Sequence, residues 1–255
     1  MIMRKYFFFD IDGTLTQPLT NEVPESTKET LALLQARGHF VAIATGRMQA
    51  DAIAVAQSLG ITSAVSDGGE CVTLFGEMLY HNGLDAAKCA DFFAKTDRVR
   101  FPWAAATENA KIALTPDTRY LEAVSNRYYD VRVAPDFDFM HAPHIYKIFV
   151  ACHKEELSDI DLCGLPYVWL RRGTLLLEPT QKDKGIRYIM NRFSASDADI
   201  VVFGDGMNDR AMFRPEWTSI AMGNAKEELK ALATYVTAPV DEDGIYRACK
   251  NFGWI

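Results

Sequence analysis

The chain has 255 residues, 49% of them hydrophobic and 24% charged, which is ordinary for a globular protein and enough for one large domain or two modest ones. A net charge of −7 and a pI near 5.3 argue against a nucleic-acid partner, which calls for a basic face. No stretch has transmembrane length, and Arg4 and Lys5 are followed by only four apolar residues before Asp10, too few for a signal-peptide core, so neither a membrane nor a secretion role is expected.

The first element is an aromatic run, Tyr6 to Phe9, that stops at Asp10-Ile11-Asp12-Gly13-Thr14. A short apolar run closed by a turn reads as a buried strand. Residues 23–37 follow with an acidic start, apolar spacing and a terminal Gly38, the pattern of a helix. His39–Ala44 is a second buried strand, ending in Thr45-Gly46-Arg47 before a helix over Gln49–Leu59. Ala64-Val65-Ser66 then leads into Asp67-Gly68-Gly69. This βαβα alternation predicts a parallel sheet with helices on its faces.

The texture changes near residue 83. A helix at Leu84–Lys95 precedes strands at Trp103–Thr107 and Lys111–Thr115, and Asp117–Tyr129 reads as a further helix. Ala134–Pro143 is a loop, Ile145–Cys152 a strand and Glu155–Ile160 a short helix. Strands at Tyr167–Arg171 and Thr174–Glu178 flank a turn at Arg172-Gly173. Strands with few crossover helices suit an α+β unit with its own small core. The βα texture returns with a helix at Lys182–Phe193 and a strand at Ile200–Phe203 that ends in Gly204-Asp205-Gly206-Met207-Asn208-Asp209. A helix to Phe213, a strand at Ser219–Met222, a helix at Lys226–Ala233, a strand at Tyr235-Val236 and a helix from Asp241 complete the chain. The expected architecture is α/β: a Rossmann-like parallel-sheet core of residues 1–82 and 180–255, interrupted by an inserted α+β cap over 83–179.

In an open α/β sheet, chemistry sits beyond the carboxyl ends of the strands. Asp10 and Asp12 emerge there, and neighbouring carboxylates repel unless a proton or a cation intervenes. A hard divalent cation such as Mg2+ suits a few carboxylate oxygens together with substrate phosphate, so the stretch suggests a metal-assisted phosphoryl site. A calcium loop starting at Asp10 fails, with Leu15 where glycine belongs and Asn21 where a bidentate glutamate belongs. Thr45-Gly46, Lys184 and Asp205–Asp209 stand at comparable strand ends or helix starts. Singly each has a plain reading: Thr45 as a helix cap, Lys184 as a solvated lysine, the acidic stretch as a turn. Their joint occurrence is what carries weight. His141 and His144 lack further partners and read as loop residues rather than a zinc site. Arg171-Arg172 reads as a solvated turn. Trp103, Glu108, Lys147 and Trp169 are candidates for a cap pocket, although aromatic residues in strands more often serve the core. The five cysteines (Cys71, Cys89, Cys152, Cys163 and Cys249) form no CxxC pair and read as reduced, mostly buried thiols of a cytoplasmic protein.

The four motifs resemble those of the haloacid dehalogenase superfamily of phosphatases: Asp10–Thr14 the first, Thr45 in Ala-Thr-Gly-Arg the second, Lys184 in Asp-Lys-Gly the third, and Gly-Asp-Gly-Met-Asn-Asp the fourth. An insertion between the second and third is similar to the Cof-type subfamily. Asp67-Gly68-Gly69 departs from the Asn-Gly pair usual there. The resemblance implies Asp10 as nucleophile forming an aspartyl-phosphate and Asp12 as general acid and then base. It implies Mg2+ on Asp10, the Asp12 carbonyl and Asp205, with Thr45, Gly46, Lys184 and Asn208 holding phosphoryl oxygens. Asp209 is expected to orient Lys184 or a metal-bound water. The implied substrate is a small phosphate ester, such as a sugar phosphate; a phosphomutase or a non-catalytic binding protein of the same fold are the alternatives. The sequence says nothing of oligomeric state.

Overall fold

The computed structural model describes residues 4–125, 127–170 and 173–255. The turn at Arg171-Arg172 lies outside the described residues. The chain divides into two compact units, Met1–Tyr80 with Gln181–Ile255, and His81–Thr180.

The chain begins with β1 (Tyr6–Phe9), α1 (Glu25–Ala36), β2 (Phe40–Ala44), α2 (Gln49–Ser58) and β3 (Ala64–Ser66), then β4 (Cys71–Leu74) and β5 (Glu77–His81). The inserted unit holds α3 (Ala86–Lys95), β6 (Trp103–Ala106), β7 (Ile112–Thr115), α4 (Arg119–Ala123), β8 (Asp130–Val133), β9 (Lys147–Ala151), β10 (Tyr167–Leu170) and β11 (Thr174–Leu177). The chain returns through α5 (Lys182–Phe193), β12 (Ile200–Gly204), β13 (Thr218–Ala221), α6 (Glu227–Lys230), β14 (Tyr235–Val236) and α7 (Gly244–Asn251).

The larger sheet runs β14-β13-β12-β1-β2-β3-β4-β5. Its strands from β14 to β3 are parallel, and β4 joins β3 antiparallel. Alternation along a strand sends neighbours to opposite faces. Phe7 and Phe9 therefore pack with Leu31 and Leu34 of α1 and Ile245 of α7, while Phe8 packs on the other face with Ile186 and Ile189 of α5. Both faces are buried, which is why β1 and β12 read as unbroken apolar runs.

The smaller sheet runs β10-β11-β9-β6-β7-β8. One face packs against α3, where Phe92 and Phe93 meet Trp103, Ile148, Val150, Leu175 and Leu177. Trp103 therefore serves the core, Trp169 packs partly buried against it, and Glu108 is exposed. Lys147 is buried and paired with buried Glu178. The antiparallel register of β11 on β9, with Leu177 opposite Ile148, carries Glu178 opposite Lys147 on one face.

Several elements differ from expectation. The helix expected over Asp117–Tyr129 stops at Ala123, and Asp130–Val133 forms β8, parallel to β7. The segment leading to Phe213 is a 3-10 turn over Met207–Met212, and another 3-10 segment occupies Lys154–Asp159. The strands β4 and β5 fall where no element was expected.

Candidate active site

The parallel strands β1, β2 and β12 and the start of α5 deliver four segments to the carboxyl end of the sheet. β1 leads directly into Asp10, whose backbone N–H donates to the Phe203 carbonyl of β12 at 3.0 Å. The chain then folds tightly around the Ile11 carbonyl, which accepts from the N–H groups of Leu15 and Thr16 at 2.9 Å and from Thr16 Oγ1 at 3.1 Å. Gly13 has φ +82°, and a Cβ there would lie 2.2 Å from Asp205 Oδ2. The glycine thus lets the first loop pass directly under the Asp205 carboxylate.

Asp10 is buried, and its Oδ1 accepts from Lys182 Nζ at 2.7 Å. Lys182 also donates to Asp209 Oδ1 at 2.5 Å. Asp209 is fully buried, and its Oδ2 accepts from the backbone N–H groups of Asp205 and Gly206, each at 3.0 Å. With both oxygens engaged, Asp209 orients Lys182 and closes the loop after β12.

The expected role of Lys184 does not fit its position. Its side chain is 53% exposed, and Nζ pairs with Glu70 Oε1 at 2.5 Å. Residues two apart on a helix point about 200° away from each other, so Lys182 and Lys184 cannot share a face. The buried stripe of α5 is Lys182, Gly185, Ile186, Ile189 and Met190. That i, i+3, i+4, i+7 phase is visible in the sequence and puts Lys182, not Lys184, on the inward side.

Thr45 is buried at the end of β2. Its N–H donates to the Val65 carbonyl at 2.9 Å, its carbonyl accepts from Gly68, and its Oγ1 accepts from the Arg47 N–H at 3.1 Å. Gly46 is half-buried beside it. Asp12 is exposed, and Arg47 grips it with both arms: Nε to Oδ2 at 2.9 Å and Nη2 to Oδ1 at 2.6 Å. Asp51, one turn into α2, accepts from the far side of the same guanidinium at 3.3 Å. Asn208 is half-buried within the 3-10 turn. Arg47 and Lys182 thus join the site from within or beside the second and third motifs, where the sequence assigns roles to Thr45, Gly46 and Lys184 instead.

Burial, reinforced by Asp209 and only partly offset by Lys182, raises the Asp10 carboxyl well above the ordinary range. The same forces push Asp205 up to about 7. Burial alone would pull Lys182 down, but Asp10 and Asp209 outweigh it and hold its proton more firmly than usual. Oxygens of Asp10, Asp205 and Asp209 lie within 4.8 Å of one another. Three carboxyl groups against one ammonium leave an excess of negative charge in a buried place. A divalent cation would offset that excess, and an all-oxygen donor set suits Mg2+ or Mn2+ over Zn2+.

A family model described as haloacid dehalogenase-like hydrolase matches residues 7–162 and 174–249. The chain belongs to this family. It is a haloacid dehalogenase phosphatase of the Cof type, an enzyme with an α/β parallel-sheet core. It is 34% identical over 257 residues to YkrA of Bacillus subtilis (strain 168), a match covering 98% of each chain. It is 26% identical to the phosphoglycolate phosphatase of Nitrosopumilus maritimus (strain SCM1), over 96% of this chain and 94% of that one. Among solved structures, the subclass IIB sugar phosphatase BT4131 superposes with a TM-score of 0.80 and 28% identity, covering 98% of this chain and all of the other. Phosphatases of this family act on phosphate esters and generally use Mg2+, and the cluster of Asp10, Asp205 and Asp209 could hold a metal ion. Among the described residues no helix is long and apolar enough to cross a membrane.

Proposed function

We propose that this haloacid dehalogenase phosphatase hydrolyses small phosphate monoesters, sugar phosphates among them, in two steps through an aspartyl-phosphate on Asp10. The observation that carries the reading is Asp10 itself: a buried carboxylate at the carboxyl end of the central strand, held by Lys182 and facing Asp205. In the first step an Asp10 oxygen attacks phosphorus, the ester P–O bond breaks, and Asp12 gives its proton to the departing alcohol. In the second, Asp12 takes a proton from water, the water oxygen attacks phosphorus, and the bond to Asp10 breaks to release inorganic phosphate. Lys182, Thr45, the Gly46 N–H and Asn208 hold the phosphoryl oxygens as charge redistributes.

Mg2+ would be held by Asp10, the Asp12 carbonyl and Asp205, where it would offset the negative charge of carboxylate and phosphate. The exposure of Asp12 suits a group that must exchange protons with solvent and with a leaving group. Discrimination among leaving groups falls to residues 81–180, since the core motifs recognise only phosphate. Free, mostly buried thiols fit a reducing cytoplasmic setting; Cys71, Cys89 and Cys249 are each pushed up to about 12 by burial, which makes them unreactive. Phosphate release from a panel of phosphorylated metabolites, with Mg2+ and with excess chelator, tests the reading. Turnover of several small monoesters that stops in chelator is expected; full turnover by metal-free protein contradicts it.

A further inference from the structure

Asn224 lies in the turn after β13, at a position that none of the four motifs includes. Its amide makes three contacts. Nδ2 donates to the Gly13 carbonyl at 2.8 Å and lies 3.5 Å from Asp205 Oδ2, while Oδ1 accepts from the Val240 N–H at 3.0 Å. A backbone N–H can only donate, so the Val240 bond fixes which end of the amide is oxygen. The NH2 group must then point at Gly13 and Asp205. The turn that carries Asn224 is itself tied down: Gly223 N–H donates to the Ala238 carbonyl and Lys226 N–H to the Asp205 carbonyl, each at 3.0 Å.

We propose that Asn224 is a positioning residue for the cation site. It locks the loop bearing Asp10 and Asp12 against Asp205, and it faces the Asp205 carboxylate with a donor where its nearest charged neighbours include other carboxylates. Three facts support this over a purely structural role. Asn224 is exposed and adds little to any core. Its one amide reaches the first loop at Gly13, the Asp205 carboxylate and the Val240 backbone, joining two site segments to a third. Its Gly13 contact sits at the residue whose missing Cβ admits the Asp205 carboxylate. Outer partners of ligating carboxylates set the orientation of the ligands, and their loss typically weakens metal binding by about 10–100-fold.

The inference rests on the cation reading above, and the test separates the two. Thermal melting of the full chain is followed in chelator and against rising MgCl2 for wild type, Asn224→Ala and Asp205→Asn. A cation that binds only the folded chain raises the melting temperature in a concentration-dependent way. Asn224→Ala is expected to melt somewhat below wild type in chelator, since its Gly13 and Val240 bonds are lost with or without the cation, and to need about tenfold more Mg2+ for half the stabilisation. Asp205→Asn is expected to lose the Mg2+ response. A merely structural asparagine would lower melting in chelator and leave half-saturation unchanged. Half-saturation of Asn224→Ala near the wild-type value, with Asp205→Asn unresponsive, overturns the role of Asn224. An undiminished response in Asp205→Asn overturns the cation reading and the inference with it. Asn224→Ser, too short to span Gly13 and Val240 together, repeats the test should the alanine variant fail to fold.

Discussion

At position 182 a single ammonium serves two buried carboxylates, and removing it leaves both uncompensated. Breaking a buried pair by deleting one partner typically costs about 3–5 kcal/mol. Lys182→Met should therefore lower the melting temperature and abolish turnover. Lys184→Ala removes an exposed pair of the kind worth about 0–1 kcal/mol and should change neither. Equal loss of activity in the two variants would contradict the assignment. The titration of Asp205 gives a second expectation. Its folded value of about 7 lies above the unfolded one, near 4, so its contribution to stability is full at low pH and is lost as pH climbs through about 7. Metal-free protein should lose stability over that span. Mg2+, which needs the ionised form, should restore it, so the gap in melting temperature between Mg2+ and chelator should widen with pH. A constant gap would contradict this. The carboxylates at strand ends were legible because Asp10 follows directly on a short apolar run and Asp205 follows another after one glycine. Lys182, Arg47 and Asn224 were not, because each reaches the site through a contact distant in sequence. For Lys182 the helical phase was nonetheless available.

The elements follow the same division. β1, β2 and β12 are buried on both faces, and their continuous apolar runs identify them. The β4–β5 connection escaped notice because its turn is Phe75-Gly76, with φ of 52° and 86°. Two consecutive positive φ values suit a hairpin, but Asn or Asp ordinarily signals the first. β8 alternates Asp130, Val131, Arg132 and Val133 on the sheet edge, with too little apolar content to stand out from a helix. Within the inserted unit, the pair of Lys147 and Glu178 gives a test at this scale. Lys147→Met alone leaves Glu178 buried without its cation and should lower the melting temperature substantially. Lys147→Met with Glu178→Leu replaces both charges by apolar groups of similar size and should recover most of the loss. Failure of the double variant to recover would mean that the pair's other contacts dominate.

For the whole molecule, the proposed division of labour, in which the core recognises phosphate and the inserted unit discriminates leaving groups, predicts a particular pattern of rates. Glu108 is the exposed polar candidate of that unit, and Glu108→Ala should reorder kcat/KM among sugar phosphates while leaving a small aryl phosphate nearly unchanged. A uniform scaling of every substrate would place discrimination elsewhere. The central claim, however, is that phosphorus passes through Asp10. An aryl phosphate has a leaving group that departs without a proton, so Asp12→Asn should still be phosphorylated but should hydrolyse the adduct slowly. Acid quench of that variant during turnover, followed by peptide mass spectrometry, should find a phosphoryl group on Asp10, labile to hydroxylamine and absent when Asp10→Asn is added. Product formation without any adduct, or an adduct on another residue, would contradict the account.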